Sequence, residues 1–172
     1  MFHQDIIAAL PQDFPSTSKV WIYQSSRRFT PEQQREIDEQ LHQFYSQWTA
    51  HGAPVKGWAK LLFSQFIVVI ADLSQTVVSG CSTDAMEMVI KSIGRQYDTK
   101  LFDRLMLTFL VKDEPQMLPL NQVQYAIDKD YIHADTLLFD NTIADLETLK
   151  TRWLVPLKDT WLAQKVSFPI AQ

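Results

Sequence analysis

The residues with the most chemical potential are Ser79-Gly80-Cys81-Ser82-Thr83-Asp84, small polar side chains around a lone thiol. Met86, Val89, Ile90, Ile93 and Tyr97 follow at helical spacing, so this run starts a helix, capped by Ser82 or by Asp84 paired with Glu87. Backbone N–H groups at such a start are unpaired and positive, which favours a thiolate or a bound anion. Cys81 is thus a candidate catalytic nucleophile, with Ser79, Gly80, Ser82, Thr83 and Asp84 as candidate ligand-binding residues. The competing reading is an ordinary cap, with Cys81 a small packing residue. His51 is the candidate base, because an imidazole beside a thiol can take its proton or pair with the thiolate. As a purely structural residue it would close the last carbonyls of the preceding helix.

Other groups point less clearly to chemistry. Arg27 and Arg28, with Asp103 and Arg104, could hold a phosphate or form surface ion pairs. His3, His42 and His133 share no metal-ligand spacing and one cysteine cannot build a thiolate zinc site, so no metal or other cofactor is expected. The nucleotide-loop patterns and the G-x-S-x-G nucleophile elbow are absent from the sequence.

The elements that must position these residues follow from hydrophobic period and turn chemistry. Asp5 to Leu10 reads as a short helix stopped by Pro11, and Lys19 to Gln24 as a strand. Thr30-Pro31-Glu32-Gln33 is a capping box with proline in the first turn, and Ile37, Leu41, Phe44 and Trp48 form one stripe, so Pro31 to Ala50 is expected to be helical up to a Gly52 cap. Val55 to Phe63 and Phe66 to Leu73 read as a hairpin, Leu105 to Val111 as a strand, and Asp113 to Pro119 as a loop. A helix from Asn121 to Lys129, a strand from Thr136 to Phe139 and a helix from Ile143 to Trp153 complete the chain.

The order strand, helix, strand, strand, helix, strand is that of the ferredoxin-like split βαβ motif, an α+β fold with two helices on one face of a four-stranded antiparallel sheet. The chain is expected to be a single domain, 1–172, with this core over 19–112 and a mostly helical extension over 113–172 packed on it. Chain order places His51 at the sheet end that carries Cys81. Trp21 or Tyr23, Trp58 and Phe66 are expected on the opposite sheet face, covered by the extension or by a second copy in a homodimer.

Composition narrows the class. A net charge of −4 argues against a nucleic-acid footprint. One cysteine excludes an intramolecular disulfide and suits a reducing, cytoplasmic setting. The first residues lack the pattern of a signal peptide, and the most apolar run, Phe66 to Leu73, falls short of the roughly 20 residues that cross a bilayer, so no membrane partner is expected.

The segments W-I-Y-Q-S (Trp21 to Ser25), Q-W-T-A-H-G (Gln47 to Gly52), S-G-C-S-T-D (Ser79 to Asp84), L-F-D-R-L (Leu101 to Leu105) and V-P-L-K-D-T-W (Val155 to Trp161) resemble an uncharacterised bacterial family of about this length, over most of the chain. Members often bear the label "ABC transporter ATPase", which implies a phosphate-binding loop. Gly52, Gly57, Gly80 and Gly94 form no such spacing, and Lys91-Ser92 falls inside a helix, so ATP hydrolysis ranks a distant third. The leading expectation is a non-catalytic module binding a small ligand or a protein partner; a thiol enzyme using Cys81 and His51 is the alternative.

Overall fold

In the computed structural model, which describes residues 2–170, the chain runs α1 (Phe2–Ala9), β1 (Lys19–Gln24), α2 (Pro31–Ser46), β2 (Thr49–Ala50), β3 (Ala53–Pro54), β4 (Lys56–Leu62), β5 (Phe66–Asp72) and α3 (Gly80–Gln96). It continues through β6 (Met106–Val111), β7 (Glu114–Pro119), α4 (Val123–Asp128), β8 (Leu137–Phe139), α5 (Leu146–Arg152) and β9 (Leu154–Pro156). The mixture of helices and antiparallel sheet makes it an α+β fold.

The capping box at the start of α2 forms: Gln33 N–H donates to the Thr30 hydroxyl at 3.2 Å and Thr30 N–H to Gln33 Oε1 at 3.1 Å. The helix stops at Ser46, short of the expected Ala50. Thr49 to Pro54 instead makes a hairpin whose tip is His51 and Gly52, both at positive φ (51° and 77°). Two consecutive positive-φ residues are the geometry of a type I′ turn, so Gly52 serves a hairpin rather than a helix cap. Val55 then follows, with its N–H bonded to the Trp48 carbonyl at 2.9 Å.

β1, β5 and β4 form an antiparallel sheet in that order, with Lys19 opposite Ala71 and Lys56 opposite Asp72. α2 and α3 both pack on one face, where Ile37, Leu41, Met86, Ile90 and Ile93 meet Leu61, Ile67 and Val69. These elements are arranged as the split βαβ motif requires. Its fourth strand is not: β6 leaves this sheet and lies between β7 and β8 in a second sheet of order β7-β6-β8-β9. The ferredoxin-like order is corrected on this point.

Local turn chemistry explains the departure. Lys112 and Asp113 both take positive φ (52° and 61°), closing a two-residue hairpin that pairs all of β6 with residues 114–119. Those residues read as a loop because of Pro115 and Pro119, yet β7 is an edge strand, where proline is tolerated. The expected division between residues 112 and 113 falls inside this turn, and the C-terminal part adds three strands to its helices.

The other face of the first sheet is covered by α1, α5 and Phe139, which enclose Phe66, Trp153 and Ile70. Trp58 and Phe66 turn this way as expected, whereas Trp21 and Tyr23 turn towards the helices. Phe66 stacks on Phe139 at 4.7 Å and meets Trp153 edge-on at 5.1 Å. The second sheet closes its own core with Phe109, Leu138 and Leu157 against α4. A buried bond from Gln65 Nε2 to Thr108 Oγ1 (2.9 Å) joins the two sheets.

Candidate functional site

Ser79, not Ser82 or Asp84, caps α3, so the helix starts earlier than its apolar stripe suggests. Ser79 Oγ accepts the Ser82 N–H, Ser82 Oγ accepts the Ser79 N–H at 2.8 Å, and Thr83 Oγ1 donates to the Ser79 carbonyl at 2.7 Å. The three hydroxyls expected to receive an anion are thus engaged with the helix's own first turn. Gly80, Cys81 and Asp84 are exposed. The hairpin carrying His51 lies at the same end: Trp48 Nε1 donates to the Ser82 carbonyl at 3.0 Å and Thr76 Oγ1 to the Pro54 carbonyl at 3.0 Å. His51 is exposed at the hairpin tip, and among the described residues no hydrogen bond joins it to Cys81.

Arg27 Nη2 donates to the Tyr97 carbonyl at the end of α3, and Arg28 pairs with Glu114 at 3.4 Å. Both arginines therefore make structural contacts within the chain. Gly94 packs where a Cβ would lie 3.0 Å from the Thr99 carbonyl, so this glycine serves close packing rather than a phosphate loop. Among the described residues, no group of three or more His, Cys, Asp or Glu side chains is placed to hold a metal ion.

A concavity more enclosed than those beside α2 and α3 lies elsewhere, along the outer edge of β1. In an antiparallel strand, alternate residues turn both backbone polar groups to the same neighbour. Ser25 N–H donates to the Gln65 carbonyl at 2.8 Å, which sets odd-numbered residues towards β5; Val20 N–H donates outward to the Ala144 carbonyl at 2.9 Å, which sets even-numbered residues to the outer edge. That edge is tied down at both ends. Leu146 N–H reaches the Ser18 carbonyl and Ser26 N–H reaches the Lys100 carbonyl, each at 2.9 Å. Between these ties, the Val20 carbonyl, both Ile22 groups and the Gln24 N–H have no protein partner among the described residues.

A groove of about 690 Å³ opens on this stretch, within the usual roughly 300–1,000 Å³ of ligand sites. Trp21, Tyr23, Glu87, Phe102 and Arg104 form one wall, and residues 138–143 with Trp161 form the other. Phe102 and Trp161 remain 44% and 39% exposed, large apolar rings left uncovered at the rim. Below them the polar groups are held rigidly. Trp153 Nε1 donates to Asn141 Oδ1, Asn141 Nδ2 to Gln24 Oε1, and Gln24 Nε2 to the Met106 carbonyl, at 3.0, 3.0 and 3.1 Å. Burial, then the Glu87 carboxylate, pushes the Tyr23 phenol up to about 12 against an opposing effect of Arg104, so its hydroxyl remains a hydrogen-bond donor at neutral pH.

The groove offers ring faces, the amides of Gln24 and Asn141, the Tyr23 phenol, the charged groups of Glu87, Asp103, Arg104 and Asp140, and backbone groups. Sequence reasoning placed Trp21 and Tyr23 in a strand but did not nominate them as a site. The lining comes from separate stretches, Val20 to Gln24, Leu101 to Leu107, Leu138 to Ile143 and Trp161, so no local pattern marks it. Compared with protein-family models, curated proteins and solved structures, the chain shows no match.

Proposed function

We propose that this chain is a non-catalytic binding module whose site is the groove along the open edge of β1. The observation that carries this reading is an interrupted strand edge beneath a concavity with uncovered aromatic rings. Unpaired backbone groups are costly when shut away from water, and a bound molecule that pairs them while covering Phe102 and Trp161 gains both terms. The end of the sheet near Cys81 supports the thiol-enzyme alternative less well, because among the described residues no hydrogen bond joins the exposed His51 and Cys81.

The test is an NMR screen of a fragment library against the isotope-labelled chain. Binding in the groove should shift the backbone signals of Trp21 to Gln24, Phe102, Arg104 and Asn141 together, and a bound fragment should raise the melting temperature. Hits that perturb only the first turn of α3 and the His51 hairpin would move the site to the thiol and overturn the proposal.

A further inference from the structure

We infer that the occupant of this groove is a short extended peptide of another protein, which adds to β1 as the strand that β6 does not supply. The inference rests on the groove being the binding site and specifies its ligand. The N–H and C=O of Ile22 face outward together, with the Val20 carbonyl and the Gln24 N–H on either side. An extended backbone presents groups at this spacing, and strand addition draws its affinity from such main-chain bonds. The ties at Val20 and Ser26 limit the open stretch to about 20 Å, at about 3.3 Å per residue.

The walls make a second folded copy a poor fit. Residues 101–104, 106–107 and 138–143 line the groove beside the strand, so a single extended segment can enter where the edge of another sheet is obstructed. Successive side chains of that segment would point alternately to Tyr23 and Phe102 and to Asn141 and Trp161. Charge selects further. Glu87 is paired with Lys91 at 3.6 Å, while Asp103 and Asp140 each accept an N–H of their own turn, from Leu105 and Thr142. These bonds leave the three carboxylates charged, and Arg104 is the one cation of the lining among the described residues, so the field of the groove favours a basic peptide.

The probe is a pooled library of end-blocked hexapeptides, apolar at alternate positions, in acidic and basic series. It is titrated into the full chain with amide hydrogen exchange read at β1. Binders should come from the basic series and slow exchange at Ile22 at least about tenfold, more than at Trp21 and Tyr23, which are already bonded to β5. N-methylation of the best binder at the amide facing Ile22 should weaken it about tenfold or more, the scale of one buried hydrogen bond lost. Ile22→Pro removes the outward N–H without breaking a bond to β5 and should abolish binding; should that variant not fold, the N-methylated peptide decides. Glu87→Lys combined with Asp103→Asn, which reverses the net charge of the lining, should shift the preference towards the acidic series.

Peptides that bind without protecting Ile22, or that tolerate N-methylation, would overturn the inference. So would concentration-dependent protection of Ile22 in the chain alone, which assigns the edge to a second copy. Fragments that fill the groove while no hexapeptide protects Ile22 would leave the binding module standing and remove the peptide. Failure of both fragments and peptides to occupy the groove would remove both readings.

Discussion

Gly57 and Trp48 are coupled by space, and replacing them separately and together should reveal it. A Cβ on Gly57 would lie 2.7 Å from Cε3 and 3.1 Å from Cζ3 of Trp48. The ring has little freedom to retreat. It is 3% exposed, donates to the Ser82 carbonyl at 3.0 Å, and has Phe44 and Trp21 at 5.1 and 6.1 Å. Gly57→Ala should therefore cost about 1–3 kcal/mol by overpacking, although alanine elsewhere in a strand gains about 0.5–1 kcal/mol over glycine. Trp48→Ala should cost about 3–5 kcal/mol from the cavity, with the Ser82 carbonyl left unpaired as part of the loss. With the indole gone the clash disappears, so in that background Gly57→Ala should be neutral or stabilising by about 0.5 kcal/mol. Urea unfolding of the four proteins, followed by far-ultraviolet circular dichroism, measures the cycle. Additivity within about 0.5 kcal/mol would refute the packing described around Trp48.

Thr108→Val should destabilise by about 1–3 kcal/mol, because it strips the one partner of the buried Gln65 amide, whose Oε1 is already unpaired. Combining it with Gln65→Met should recover most of that loss in the same urea assay. Cys81 is exposed, so iodoacetamide should modify it in the folded chain at a rate that His51→Ala leaves unchanged; a large drop would instead favour the thiol enzyme. Burial, then a hydrogen bond to Glu36, pushes Tyr97 up to about 12 from 10.0, and Tyr23 is raised to the same level by burial and Glu87. Folding thus favours both phenols, a contribution intact below pH 10 and lost between pH 10 and 12. Melting temperatures should fall across that window, and less steeply in Tyr97→Phe; equal slopes would contradict the assignment.

Much of the fold was legible wherever one local signal agreed with the hydrophobic period. Thr30 to Gln33 states a helix start in four residues, and the stripe from Ile37 to Leu41 states which side is buried. Phe66 to Asp72 reads as strand because its β-branched and aromatic residues are covered on both faces. What was hidden depended on turns made by residues that do not announce them. Phe63 and Ser64, Lys112 and Asp113, and His51 all take positive φ without being glycine, a conformation their neighbours impose. The second of these turns sends β6 into its own sheet, and no local feature of Met106 to Val111 distinguishes the two partnerships.

The candidate site was less legible for the same reason. Cys81 and Ser79 to Asp84 stand out by residue type, yet most of their polar groups serve the helix start. The β1 groove mixes core residue types with polar ones from separate stretches, and it becomes a candidate site only because the fourth strand is missing beside them. That absence is a property of topology, which no residue reports by itself.

Amide hydrogen exchange of the chain without ligand, resolved at each residue of β1, tests the open edge most directly. The structure predicts slow exchange at Trp21 and Tyr23, whose N–H groups bond to β5, and much faster exchange at Ile22 and Gln24, whose N–H groups face the groove. Protection of Ile22 and Gln24 equal to that of Trp21 and Tyr23, at every protein concentration, would mean that the edge is already paired within the chain and that the proposed site does not exist.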